Sequence, residues 1–69
     1  MSVYRVTDVI GTSPNSWEEA AKEALAATAG SLRDLRVAEV SKLDVTLTPE
    51  GKVEAYRIKL SVSFKYEKS

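Results

Sequence analysis

The chain contains no cysteine and no histidine. Without cysteine there is no disulfide to hold a small fold together, and no thiol nucleophile. Without histidine the commonest general base is missing, no Ser-His-Asp set can form, and a Cys/His metal clip is ruled out. Glycine is scarce, with three residues isolated at 11, 30 and 51, so no glycine-rich loop can cradle a phosphate. There is no excess charge either: ten Lys and Arg balance ten Asp and Glu. Nucleic acid is therefore not expected as a partner, because phosphate backbones select basic surfaces. No apolar run approaches the roughly 20 residues of a membrane span, and the first residues lack the apolar core of a signal peptide. These absences point to a cytoplasmic protein with no membrane partner that is not an enzyme.

With 69 residues the chain is one domain, spanning 1–69. A folded monomer of this size buries only about 60% of the surface its unfolded chain exposes. With disulfides and a Cys/His metal site excluded, assembly with further copies is the remaining common route to more burial.

The pattern along the chain reads β-α-β-β. Residues Ser2 to Ile10 form a first strand, with Tyr4, Val6 and Ile10 on one side of a period-2 pattern that Asp8 interrupts. Gly11-Thr12-Ser13-Pro14-Asn15 reads as a loop. Ser16 and Glu19 have the spacing of a capping box, in which each side chain satisfies the other's backbone amide. The Ala-rich stretch after them is a strong helix former, with Trp17, Ala21, Ala24, Leu25, Thr28 and Leu32 on one stripe and Gly30 in the last turn. Glu18, Glu19 and Glu23 give its polar side a negative cast.

A second strand runs from about Leu35 to Thr48, and its pattern changes phase. Ala38 and Val40 are apolar at even positions, then Leu43, Val45 and Leu47 at odd ones. A bulge does this, and so does a strand that packs on its own helix in one half and on a neighbouring subunit in the other. Thr48-Pro49-Glu50-Gly51 is a turn. The third strand, Val53 to Tyr66, alternates cleanly: Tyr56, Ile58, Leu60, Val62, Phe64 and Tyr66 face one way, and Arg57, Lys59, Ser61, Ser63 and Lys65 the other. A helix of about 15 residues covers roughly 22 Å, whereas a strand of about 13 residues covers roughly 43 Å. One helix is too short for that hairpin, so part of its apolar face is expected to meet another subunit. The fold class is α+β: a three-stranded antiparallel sheet packed on one helix.

Short motifs along nearly the whole chain resemble the dodecin family. They are Val3-Tyr4-Arg5-Val6, Ile10-Gly11-Thr12-Ser13, Ser16-Trp17-Glu18-x-Ala20-Ala21, Val37-Ala38-Glu39-Val40, and Tyr56-Arg57-Ile58-Lys59-Leu60-Ser61-Val62-Ser63-Phe64. The resemblance implies a hollow homododecamer that stores or sequesters a small ligand. Many members bind flavins, such as FMN or riboflavin, in pairs at subunit interfaces, and some bind coenzyme A. In flavin-binding members a Trp early in the second strand stacks on the ring, and a Gln in the third strand bonds its polar edge. Here Val37 and Arg57 stand at those positions, and Asp44 stands where a basic residue is common. Val37, Arg57 and Asp44 are thus the ligand-site residues that the resemblance implies. Valine has no π face, so the ring would lose its stacking partner.

Three functions follow as expectations. The first is a non-catalytic cage that sequesters a flavin or coenzyme A. The alternative is a flavin-free cage for divalent cations such as calcium or magnesium, whose oxygen ligands the sequence leaves open. The third is a module that meets a protein partner along the hairpin edge.

Overall fold

The fold was obtained as a computed structural model, and the structure describes residues 3–30 and 35–65. Strand β1 (Tyr4–Ser13) leads to helix α1 (Trp17–Ala29), and strands β2 (Leu35–Leu47) and β3 (Val53–Lys65) form the closing hairpin. The sheet order is β1-β3-β2, and both pairings are antiparallel. The β-α-β-β reading holds. Tyr66 and Leu32, which the sequence placed on apolar faces, lie outside the described residues.

The first strand is longer than its turn residues suggest. Gly11, Thr12 and Ser13 continue β1, pairing with Ile58, Arg57 and Tyr56. The reason is packing. A Cβ built on Gly11 would lie 2.2 Å from the carbonyl oxygen of Ala20 and 2.8 Å from the Cβ of Ala24. Glycine here allows the helix to rest directly on the strand, which is a close backbone approach and not a turn. This approach also adds Ala20 to the expected stripe and sets its most buried line on the small residues. Ala20, Ala24 and Thr28 form the buried line, while Trp17, Ala21 and Leu25 flank it at half burial. Small residues win the contact because only they fit against Gly11.

The N-terminus of α1 keeps half of the expected capping box. The Ser16 hydroxyl accepts from the Glu19 amide at 3.0 Å. The Glu19 carboxylate turns instead to the Ser13 hydroxyl at 2.5 Å and the Asn15 side-chain amide at 2.8 Å. Ser13 is buried, and its oxygen also accepts from the Asn15 amide at 3.0 Å. The strand end, the connection and the first helical turn are therefore one hydrogen-bonded unit. At the other hairpin, Gly51 takes φ +85° and donates to the Thr48 carbonyl at 2.8 Å, as a turn glycine should.

The helix side of the sheet carries Val9, Gly11 and Ser13 of β1 and Ile58, Leu60 and Val62 of β3, with the last three almost fully buried. The phase change of β2 is a bulge: Val40 pairs with Leu60 and Lys42 with Lys59, so Ser41 is an extra residue. Ala38, Val40, Leu43 and Val45 thereby stay on the helix side, opposite Val62, Leu60, Ile58 and Tyr56.

The helix lies over β1 and β3 and leaves the middle of β2 open. Val40 is 53% exposed and Leu43 51%, although both point to the core side. The opposite, outward face holds a second apolar set, with Val6 64%, Ile10 59% and Val37 61% exposed. The fold is 53 Å long and 15 Å thin, with a radius of gyration of 14.3 Å. A compact chain of this length has about 11 Å.

Gly11→Ala is expected to lower stability by about 1–3 kcal/mol, as overpacking does. Gly30→Ala should be close to neutral, because among the described residues its Cβ meets nothing nearer than 3.4 Å and its φ is −70°. Thermal melts of the two variants check this contrast.

Candidate functional site

The outward face of β3 presents Arg57, Lys59, Ser61, Ser63 and Lys65, as the alternation predicts. Its partners on β1 and β2 decide what these residues do. The register places Asp44 opposite Arg57, Asp8 opposite Ser61, and Val37 opposite Ser63. Asp44 meets Arg57 only because Glu54 is an extra residue beside the turn: Leu47 pairs with Val53, but Thr46 pairs with Ala55.

Asp44 and Arg57 form a two-pronged ion pair. The Arg57 Nε donates to Asp44 Oδ1 at 2.7 Å, and Nη2 donates to Oδ2 at 2.8 Å. This is the bidentate geometry that guanidinium and carboxylate favour. The hydrogen bonds from Arg57 hold the Asp44 carboxyl below its ordinary range, helped by the charges of Arg57 and Lys42 and opposed by partial desolvation. The same pair raises the affinity of Arg57 for its proton. The backbone of Asp44 is fixed from the opposite side of the sheet: the Trp17 ring N–H donates to its carbonyl at 3.1 Å. Trp17 also meets Tyr56 edge-on, with centroids 5.0 Å apart. One β2 residue thus ties the helix start to both strands of the hairpin.

Around this pair lies a shallow cavity of about 180 Å³, lined by Ile10, Lys42, Asp44, Arg57, Ile58 and Lys59. Farther along β1, Asp8 accepts from the Ser61 hydroxyl at 2.8 Å and pairs loosely with Lys59 at 3.8 Å.

The structure brings two of the three sequence-marked residues together and leaves the third apart. Asp44 and Arg57 touch. Val37 sits opposite Ser63, six residues along β3 from Arg57, which is roughly 20 Å within one subunit. Val37 also borders a groove of about 450 Å³ between the end of α1 and the start of β2, shared with Leu25, Leu35 and Val62. A second groove of about 370 Å³ runs between Trp17, Ala21, Val40 and Leu43. Lys42 joins Asp44 and Arg57 without being singled out in the sequence. The Ser41 bulge moves it to the outward face, and a plain alternation count across β2 misses that. Among the described residues, no group of three or more acidic side chains converges within one chain.

These features have counterparts in known proteins. The family model described as Dodecin matches residues 3–67. The chain belongs to the dodecin family. The calcium dodecin of Mycobacterium tuberculosis is 55% identical over 65 residues, covering 94% of this chain and 90% of that protein. A crystal structure of that protein, described as a calcium-chelating immunodominant antigen with a novel calcium-binding site, superposes with a TM-score of 0.84 at 53% identity and covers 99% of this chain and 96% of that one. The dodecin of Streptomyces coelicolor superposes with a TM-score of 0.91 at 32% identity, over 99% of this chain and 96% of its own. The dodecin fold expected from the sequence is the fold found. Its members are self-assembling proteins that bind small ligands, and the bare apolar surfaces of this dodecin fit that behaviour.

The carboxylates fix how stability depends on pH. The Ser13 hydroxyl first, and then the Asn15 amide, hold the Glu19 carboxyl below its ordinary range. Asp44 is lowered by Arg57. A carboxyl with a lowered folded pKa contributes stability above its unfolded value, about 4, and loses that contribution as pH falls through the folded value. Stability should therefore decline on acidification from about pH 4. Glu19→Gln and Asp44→Asn are each expected to flatten that decline, and denaturant melts taken from neutral pH to below pH 4 measure it.

Proposed function

We propose that this dodecin assembles into a closed cage of twelve copies that takes up calcium, holds no flavin, and acts by binding rather than by catalysis in the cytoplasm. The observation that carries this reading is the state of the positions implied for a flavin. Val37 offers no aromatic surface, and both Arg57 donors that face Asp44 are already occupied by its carboxylate. A flavin would lose stacking worth about 0.5–1.5 kcal/mol per aromatic pair beyond its buried area. It would also have to break a bidentate ion pair to reach Arg57.

The calcium half of the reading is supported by the 55% identical relative named calcium dodecin. Calcium takes six to eight oxygen ligands. The described residues of one chain bring no three carboxylates together. This favours a coordination sphere that draws oxygens from more than one copy in the assembled cage. The lack of histidine and cysteine suits a hard, oxygen-loving ion over zinc or copper.

The number twelve comes from the family resemblance, and assembly through more than one kind of contact is supported by the placement of bare apolar residues. A closed cage needs each copy to meet its neighbours through different surfaces. Here one apolar set lies on the helix side at Val40 and Leu43, and another on the outward side at Val6, Ile10 and Val37. Cytoplasmic residence is supported by a chain without cysteine, which has no use for an oxidising compartment.

Calcium is expected to raise the melting temperature of the assembled protein, by an amount set by the ratio of free calcium to its dissociation constant. Riboflavin fluorescence should remain unquenched in the same preparation. Saturable quenching of riboflavin at a fixed ratio, without a calcium-dependent shift, would overturn the proposal and restore a flavin cage. Leu43→Lys should reduce the native mass, because it buries an unpaired charge at a contact between copies. An unchanged mass would remove the helix side of β2 from the assembly contacts.

A further inference from the structure

The cluster around Asp44 contains an arrangement that an isolated sheet disfavours. Lys42 and Lys59 are direct cross-strand partners. Both belong to the outward face, and like charges directly opposite each other in a sheet repel. Arg57 is on the same face, one outward position from Lys59, and all three line the cavity of about 180 Å³. Three cationic residues thus line a concavity whose lining has a single carboxylate, Asp44. Among the described residues Lys59 meets Asp8, at 3.8 Å, and both side chains of that pair are substantially exposed. Such a contact is weak.

A concavity of this kind is an oxyanion site by its chemistry. The Arg57 fork, Nε and Nη2, is the geometry that takes two oxygens of a phosphate as readily as two of a carboxylate. Lys42, whose charge acts on Asp44, and Lys59 line the same cavity. The volume equals that of several waters at about 30 Å³ each, room enough for a tetrahedral anion. What fills the fork is the chain's own Asp44, with both oxygens on Arg57 at 2.7 and 2.8 Å. Its position is held from behind by the Trp17 bond to its carbonyl. The side chain is therefore presented to Arg57 by a fixed stretch of backbone.

We propose that the Asp44 carboxylate is a built-in counter-anion occupying the oxyanion position of this cavity, and that it makes the outward face refuse phosphate-bearing ligands which Lys42, Arg57 and Lys59 would otherwise hold. Asp44 is in this sense a specificity-determining residue. Its removal uncovers an anion site with no change in the sheet. The inference does not depend on calcium binding, because it concerns only the charges lining this cavity.

The test is titration of inorganic phosphate into the assembled protein, in the presence of a calcium chelator, followed by calorimetry and by the fluorescence of Trp17, the single tryptophan. Asp44→Asn keeps the size of the side chain and removes its charge. It should bind phosphate at least about tenfold more tightly than the unmodified protein, the smaller effect expected of a charged hydrogen-bonded contact. The gain should weaken as sodium chloride is added. It should vanish in the double variant Asp44→Asn/Arg57→Gln, and Asp8→Asn should not reproduce it. Asp44→Ala serves as a second variant should Asp44→Asn fail to assemble, with native mass as the check. Equal phosphate affinity in the unmodified and Asp44-substituted proteins would overturn the proposal. So would a gain that survives the loss of Arg57.

Discussion

A helix of 13 residues and strands of 13 residues are unequal lengths, and the rest of this structure follows from that inequality. The helix covers about 20 Å and each hairpin strand about 44 Å. The small-residue contact of Gly11 with Ala20 and Ala24 decides where the helix lies. It sets α1 over β1 and β3, so that Ile58, Leu60 and Val62 are buried and the core-facing residues of β2 are not. A single copy thus completes only half of its own core. Exposed leucine and valine scattered singly would need no explanation, but here they gather in one set on the helix side of β2 and another on the outward face, which marks interfaces.

The outward face obeys a different rule. It carries most of the sheet's charge, and the charges are arranged by register. Asp44 pairs with Arg57, and Asp8 serves Ser61 and Lys59. Two irregularities in the hairpin create this arrangement. The extra residue at Glu54 brings Asp44 opposite Arg57, and the extra residue at Ser41 turns Lys42 outward while keeping Leu43 on the helix side. Bulges that look like defects in a strand pattern are thus what separates the apolar face from the charged one. Val37 and Arg57 lie roughly 20 Å apart along the sheet of one chain, so the two positions do not share a small pocket within a subunit.

Much of this was legible in the sequence. Element order, the hairpin turn at Thr48–Gly51, the alternation of β3 and the bulge in β2 follow from period and turn chemistry, because those are local properties. The resemblance of the short motifs gave the family. The helix stripe was right except that it omitted Ala20, and the end of β1 was misread, for one shared reason: Gly11 has the composition of a loop, and its role depends on a helix packed against it, which local pattern does not contain. The second half of the capping box failed because Ser13, six residues away, competes for the Glu19 carboxylate. Asp44 and Arg57 were marked separately, but their pairing rests on a register shift at Glu54 that no alternation signals. Lys42 was missed because the phase change in β2 left open whether a bulge caused it and which residue was extra.

The central claim is that one copy is not a self-sufficient fold. Thermal unfolding over a hundredfold range of protein concentration tests it most directly, because an obligate oligomer melts at a temperature that depends on concentration. The account predicts a melting temperature that rises with concentration and unfolding that coincides with loss of the assembly. A concentration-independent melt, from a folded species with the 7.6 kDa mass of one chain, would contradict it.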